Sequence, residues 1–99
     1  VGITCGNDDM AMGVIKALKE LKLKKKVVVV GNDFTSQAKA SIKKGELDAS
    51  VAMSPYLGGR RTVLAMLKAS QGQDVSTLDS SIPIILVSKD NISKMEDWK

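Results

Sequence analysis

The sequence predicts an α/β fold, a parallel sheet with flanking helices, on two observations. Short apolar runs twice end in an Asn-Asp pair, Val1-Gly2-Ile3-Thr4-Cys5-Gly6-Asn7-Asp8 and Val27-Val28-Val29-Val30-Gly31-Asn32-Asp33. Both runs are continuous rather than alternating, as a parallel strand covered on both faces requires, and a helical pattern follows each, giving βαβα. In such sheets ligands bind just beyond the carboxyl ends of the strands, so Asn7 and Asp33 stand where a site would be built.

The elements follow in order. In the first strand Cys5 reads as a small buried side chain. Ala11, Val14, Ile15, Leu18 and Leu21 then share one helix face, opposite Lys16, Lys19, Glu20 and Lys22. Asp8 and Asp9 stand at its start, where either can cap the first turn and both suit the positive end of the dipole; Asn7 just before them is a further cap candidate. Met10 and Met12 read as packing residues. After Asp33, Thr35 and Ser36 open a shorter helix with Ala38 and Ile42 inward, and Gly45 is its stop.

Leu47 to Met53 reads as a third strand, with Leu47, Ala49, Val51 and Met53 on one face, halting at Ser54-Pro55. From Tyr56 to Ser70 the residues Leu57, Leu64 and Leu67 recur at helical intervals, Gly58-Gly59 suggests a close backbone approach, and Gln71-Gly72 ends the helix. Arg60 and Arg61 lie opposite the leucines, on a solvated face or against a partner surface rather than in a site. A polar stretch from Gln73 to Ser81 leads to Pro83-Ile84-Ile85-Leu86-Val87, a last short strand. The tail from Lys89 is charged, with Trp98 a packing anchor.

Composition narrows the function classes. A chain of 99 residues with 43% apolar and 26% charged residues can bury a core, but only 3% are aromatic, so stacking platforms for sugars or bases are scarce. The net charge of +4 comes largely from lysines. Lys16, Lys19, Lys22, Lys24, Lys25 and Lys26 cluster at the end of the first helix, where cations complement its dipole. Without interleaved aromatics or a recognition motif this reads as a solvated helix end, and no nucleic-acid partner is expected. Cys5 is the single cysteine and histidine is absent, so an internal disulfide, a Cys/His zinc set and a His-dependent catalytic pair are all excluded. No metal, cofactor or catalysis is expected, and no stretch is apolar enough to cross a membrane. Acidic groups after both strands also disfavour a phosphate-binding enzyme.

Three segments together carry a resemblance. Gly6-Asn7-Asp8-Asp9-Met10-Ala11-Met12-Gly13, Val28-Val29-Val30-Gly31-Asn32-Asp33 and Ile42-Lys43-Lys44-Gly45-Glu46-Leu47-Asp48-Ala49-Ser50-Val51-Ala52 resemble, in order, the "ND-x-MA-x-G", "V-x-G-x-D" and "I-x-x-G-x-L-x-A-T-V-A" stretches of the type I periplasmic binding proteins. These are the ribose/galactose-binding-like sugar receptors of bacterial ABC transporters. Pro55, Gly58 or Gly59, and the ending Pro83 to Ile92 fit in order, so the resemblance spans nearly the whole chain.

The resemblance implies two Rossmann-like lobes that close on a ligand. Residues 1–53 would be part of the second lobe, 54–82 a hinge crossing with a helix packed on the first lobe, and 83–99 a return strand and tail, with most of the first lobe absent from this chain. Asn7, which both donates and accepts, and Asp33, an ionised acceptor, would hold sugar hydroxyls. Asn32 and Met53 occupy the other two ligand-facing positions. They depart from the pattern of the family, many members of which have an apolar or aromatic residue at the first, while its monosaccharide binders carry Gln or Asn at the second; Met53 cannot donate a hydrogen bond. The implied partners are a small-molecule ligand, a sugar or similar polar molecule, a membrane ABC permease, and the remainder of the same protein. The implied location is periplasmic or extracellular, with or without a lipid anchor. The alternative on the same fold is the effector-binding domain of a LacI-type repressor or a sensor ectodomain.

Overall fold

The computed structural model describes residues 1–98. The first strand, β1 (Gly2–Thr4), leads through Cys5 and Gly6 to Asn7, whose Oδ1 accepts the Met10 N–H at 2.8 Å and caps helix α1 (Asp8–Glu20). The cap therefore falls to Asn7 rather than to Asp8 or Asp9. Cys5 sits just past β1 and is half-buried against the core, not enclosed within the strand.

A 3-10 turn over Lys24–Lys26 precedes β2 (Val28–Asn32). Thr35 then caps α2 (Ser36–Lys44) by accepting the Ala38 N–H at 3.2 Å. Gly45 ends that helix with φ of 78°, a left-handed conformation that favours glycine. Next come β3 (Ala49–Met53), α3 (Pro55–Ser70) and β4 (Ile84–Ser88), and Ile92–Met95 forms a last 3-10 turn. Ser54 caps α3 and Pro55 occupies its first turn, where a missing N–H is harmless.

The four strands lie in the order β1-β2-β3-β4. β1, β2 and β3 are parallel, whereas β4 pairs antiparallel with β3, with Ser50 opposite Val87. The parallel expectation thus holds for three strands. Parallel pairing requires the chain to return to the starting end of the sheet. A helix of sixteen residues, about 24 Å long at 1.5 Å per residue, instead carries the chain beyond the carboxyl end of β3, and β4 re-enters from there.

Coverage of the sheet also differs from the sequence reading. Val29, Ala52 and Val87 are fully buried beneath Ala11, Ile15 and Leu18 of α1 and Ala38 and Ile42 of α2. On the other face Val28, Met53, Ile84 and Leu86 are 53%, 45%, 67% and 58% exposed, and all of β1 is exposed. Strands added in one direction by right-handed crossovers place successive helices on the same side, so α1 and α2 leave the second face bare. In β3 the deeply buried positions are Ser50 and Ala52, while Val51 and Met53, on the expected apolar face with Ala49, are partly or largely exposed.

α3 buries none of its residues: Tyr56, Val63, Met66 and Leu67 are at least half exposed. The radius of gyration of 17.2 Å exceeds the roughly 13 Å of a compact chain this size, and the longest dimension is 58 Å. No helix among the described residues is long and apolar enough to cross a membrane.

The tail is tied back to the core. Ile92 and Met95 are buried, Trp98 packs beside them, and Glu96 pairs with Lys43 at 3.2 Å and Lys39 at 3.5 Å on α2. Lys19 and Lys24 of the lysine cluster likewise reach Glu46 at 2.8 Å and Asp48 at 3.2 Å. The hydrogen bond from Lys43 and the charges of Lys39 and Lys43 hold the Glu96 carboxyl below its ordinary value of 4.5; Lys19 does the same for Glu46. A carboxyl depressed in the folded state contributes stability above its unfolded value and loses it as pH falls through that range. Replacing Glu96 with Gln is therefore expected to lower the unfolding midpoint slightly at neutral pH and not at all in strong acid, as thermal melts across pH will read; an equal effect at both ends would refute the pairing.

Candidate functional site

The parallel strands β1, β2 and β3 share one carboxyl edge, and every residue singled out from the sequence as ligand-facing lies along it. Asn7 follows β1 by three residues, Asn32 ends β2 with Asp33 next, and Met53 ends β3. Register keeps them level: Cys5 N–H donates to Val30 O at 2.9 Å, and Asp33 N–H donates to Val51 O at 2.8 Å.

The polar groups are partly committed. Asn7 spends one lone pair of Oδ1 on the helix cap, which leaves its second lone pair and the Nδ2 donors. Asp33 is exposed, and Asn32 Nδ2 donates to its Oδ1 at 3.2 Å, so the amide orients the carboxylate rather than standing apart from it. Asp33 takes no cap, since Thr35 fills that role for α2. Met53 is 45% exposed and offers a thioether and methyl surface. Phe34, 6% exposed, belongs to the core.

The loop from β2 to α2 carries unusual backbone angles. Asp33 has φ of 104° and Phe34 φ of 54°, values uncommon for residues with a Cβ. Its amides are nonetheless all engaged: besides the Asp33 bond, Phe34 N–H donates to Ser50 Oγ at 3.0 Å and Thr35 N–H to Asp8 Oδ2 at 2.7 Å. Ser50 Oγ–H donates in turn to Asp8 Oδ1 at 2.7 Å.

Sequence reading missed this network. Asp8 looked like a helix-start carboxylate, yet it is 1% exposed, and Ser50 is wholly buried. The small residues at Gly31 and Ser50, on neighbouring strands and in register, were the available signal. Pairing partners 42 residues apart leave no trace in local periodicity. A separate hollow between α3 and the following loop, lined by Gly58, Arg61, Leu64, Lys68, Leu78 and Ile82, involves none of the predicted site residues. Arg61 therefore shares a helix face with Leu64 instead of lying opposite it, because residues three apart are neighbours on a helix surface.

Residues 1–74 match the model of the periplasmic binding protein domain. The D-allose-binding periplasmic protein of Escherichia coli K12 is 35% identical over 85 residues, 86% of this chain and 27% of that protein. The structure superposes on the Caulobacter myo-inositol binding protein bound to myo-inositol with a TM-score of 0.83 at 33% identity, covering 97% of this chain and 32% of the other. An ABC transporter solute binding protein of Bacillus halodurans with bound myo-inositol gives a TM-score of 0.86 at 33% identity, with 97% and 33% covered. The chain thus spans about a third or less of these proteins, 27% to 33% of their length.

Proposed function

This chain belongs to the periplasmic binding protein domain family, and on that premise we propose that it forms part of an extracytoplasmic solute receptor for an ABC importer. The ligand is a small polyhydroxylated molecule, a monosaccharide or cyclitol, held in a cleft between two lobes. The observation that carries this reading is that Asn7, Asn32, Asp33 and Met53 all stand at or just beyond the carboxyl ends of the neighbouring parallel strands β1, β2 and β3. No bond is made or broken: the receptor binds, closes and presents its ligand to a membrane permease.

Chemistry assigns the parts. Asp33 accepts from two hydroxyls, each charge-assisted bond contributing about 1.5 to 3 kcal/mol. Asn7 donates through Nδ2 to a further hydroxyl oxygen. Met53 lays an apolar surface against a C–H face of the ring, so the ligand directs no hydrogen bond toward it.

The remainder of the same protein completes the cleft. Residues 1–53 belong to one lobe, 54–82 cross to the other with α3 packing on it, and 83–99 return. Two features support this division: α3 buries none of its residues, and the sheet face carrying Val28, Ile84 and Leu86 is bare.

A thermal-shift panel tests the reading on the full-length polypeptide that carries this segment, with myo-inositol, D-allose and D-ribose as probes. A probe at a hundred times its Kd is expected to stabilise by about 2.7 kcal/mol. No shift with any sugar or cyclitol would overturn the proposed ligand class.

A further inference from the structure

Asp8 and Asp9 share the first turn of α1, and either would suit its positive end from a solvated position. Asp9 is solvated; Asp8 is 1% exposed. Helix formation alone does not call for that burial, because Asn7 already caps the turn. The carboxyl is instead aimed at the next strand connection: Oδ2 accepts from Thr35 N–H and Oδ1 from Ser50 Oγ–H, each at 2.7 Å. Its space is reserved as well, since a Cβ built on Gly31 would overlap Asp8 Oδ1.

The loop that receives these bonds is the one with Asp33 and Phe34 at positive φ. Such angles persist only where surrounding contacts over-determine them. Here three consecutive amides are held, Asp33 by Val51 O, Phe34 by Ser50 Oγ and Thr35 by Asp8 Oδ2, and Asp8 also orients the serine that holds the second.

We infer that Asp8 is a positioning residue: a buried clamp, acting through Ser50 and Thr35, that sets the direction in which the β2–α2 loop presents Asp33 to ligand. The consequence for affinity rests on the ligand reading of Asp33 proposed above; the clamp itself does not. The carboxyl touches no ligand and transmits its effect only through the loop.

The test uses the full-length polypeptide with Asp8→Ala, Asp8→Asn and Ser50→Ala, read by amide hydrogen exchange and by titration with myo-inositol, D-allose and D-ribose. Asp8→Ala is expected to speed exchange at residues 33–35 and to weaken binding of the active probe about tenfold or more, the value of a lost hydrogen bond to a charged group. Asp8→Asn keeps an acceptor for Thr35 and can donate to Ser50 Oγ, so it restores most of both. In an Asp33→Ala background Asp8→Ala should cost no further affinity, which a general loss of structure would not produce. Should Asp8→Ala fail to fold, Ser50→Ala carries the same expectations, because it removes the acceptor of Phe34 N–H.

Unchanged exchange at residues 33–35 overturns the clamp, as does an equal loss of affinity with and without Asp33. If the unsubstituted protein binds none of the probes, the ligand reading falls, and the exchange measurement alone decides the clamp.

Discussion

Asp33→Ala in the full-length polypeptide is expected to weaken ligand binding by about 3 kcal/mol or more, roughly a hundredfold in Kd, with the fold retained. On the proposed reading, two hydroxyl bonds to the carboxylate would be lost at once. The fold loses little, because the anchors of the loop are backbone amides that an alanine keeps: Asp33 N–H to Val51 O and Phe34 N–H to Ser50 Oγ. A residue at φ of 104° does matter, and alanine tolerates that angle less well than Asp or Asn. Asp33→Asn is therefore the companion variant: it keeps the backbone tolerance, removes the charge, and is expected to fall between the two, near a tenfold loss. Isothermal titration with whichever of myo-inositol, D-allose or D-ribose binds will read both values. An alanine variant with undiminished affinity would remove Asp33 from the site.

Val63→Asp is expected to destabilise the full-length polypeptide by about 3 kcal/mol or more. Val63 is 57% exposed on α3 and lies on a stripe with Gly59 and Met66, itself 65% exposed. In surroundings that open, a surface substitution changes stability by no more than about 0.5 kcal/mol. Packed against the first lobe, the same aspartate becomes a carboxylate without a partner in an apolar contact, which is among the most costly substitutions available. The two cases differ several-fold, so one denaturation curve separates them. Unchanged stability would mean that α3 does not cover the other lobe and that the division at 54–82 is wrong.

How much of the molecule was legible follows from the range of the forces involved. Helix α1 was readable because Ala11, Ile15 and Leu18 repeat on one face. Helix α2 was readable because Thr35 and Gly45 mark its ends by local hydrogen bonding and local backbone freedom. The candidate site was legible for a related reason: parallel strands with helical crossovers bring Asn7, Asn32, Asp33 and Met53 to one edge whatever the details of packing.

Other features depended on contacts between distant segments. Continuous valines in β2 suggest cover on both faces, yet which faces are covered depends on where the crossovers lie, and here both helices lie on one side. The direction of β4 was decided by the course of α3, which leaves the sheet without packing back across it and which no pattern in Ile84–Ser88 encodes. The choice between Asn7 and Asp8 as helix cap was open locally, since both residues cap helices well. It was settled by what Asp8 meets across the sheet, Ser50 and Thr35, at separations of 42 and 27 residues.

By itself, then, the sequence determined the order of elements, the parallel core and the edge on which the candidate site stands, because those follow from periodicity and short-range capping. Only the tertiary structure decided which face is bare, which way the last strand runs and which aspartate is buried. Each of those depends on which atoms meet after the chain has closed its long loops, information that a local pattern of residues does not contain.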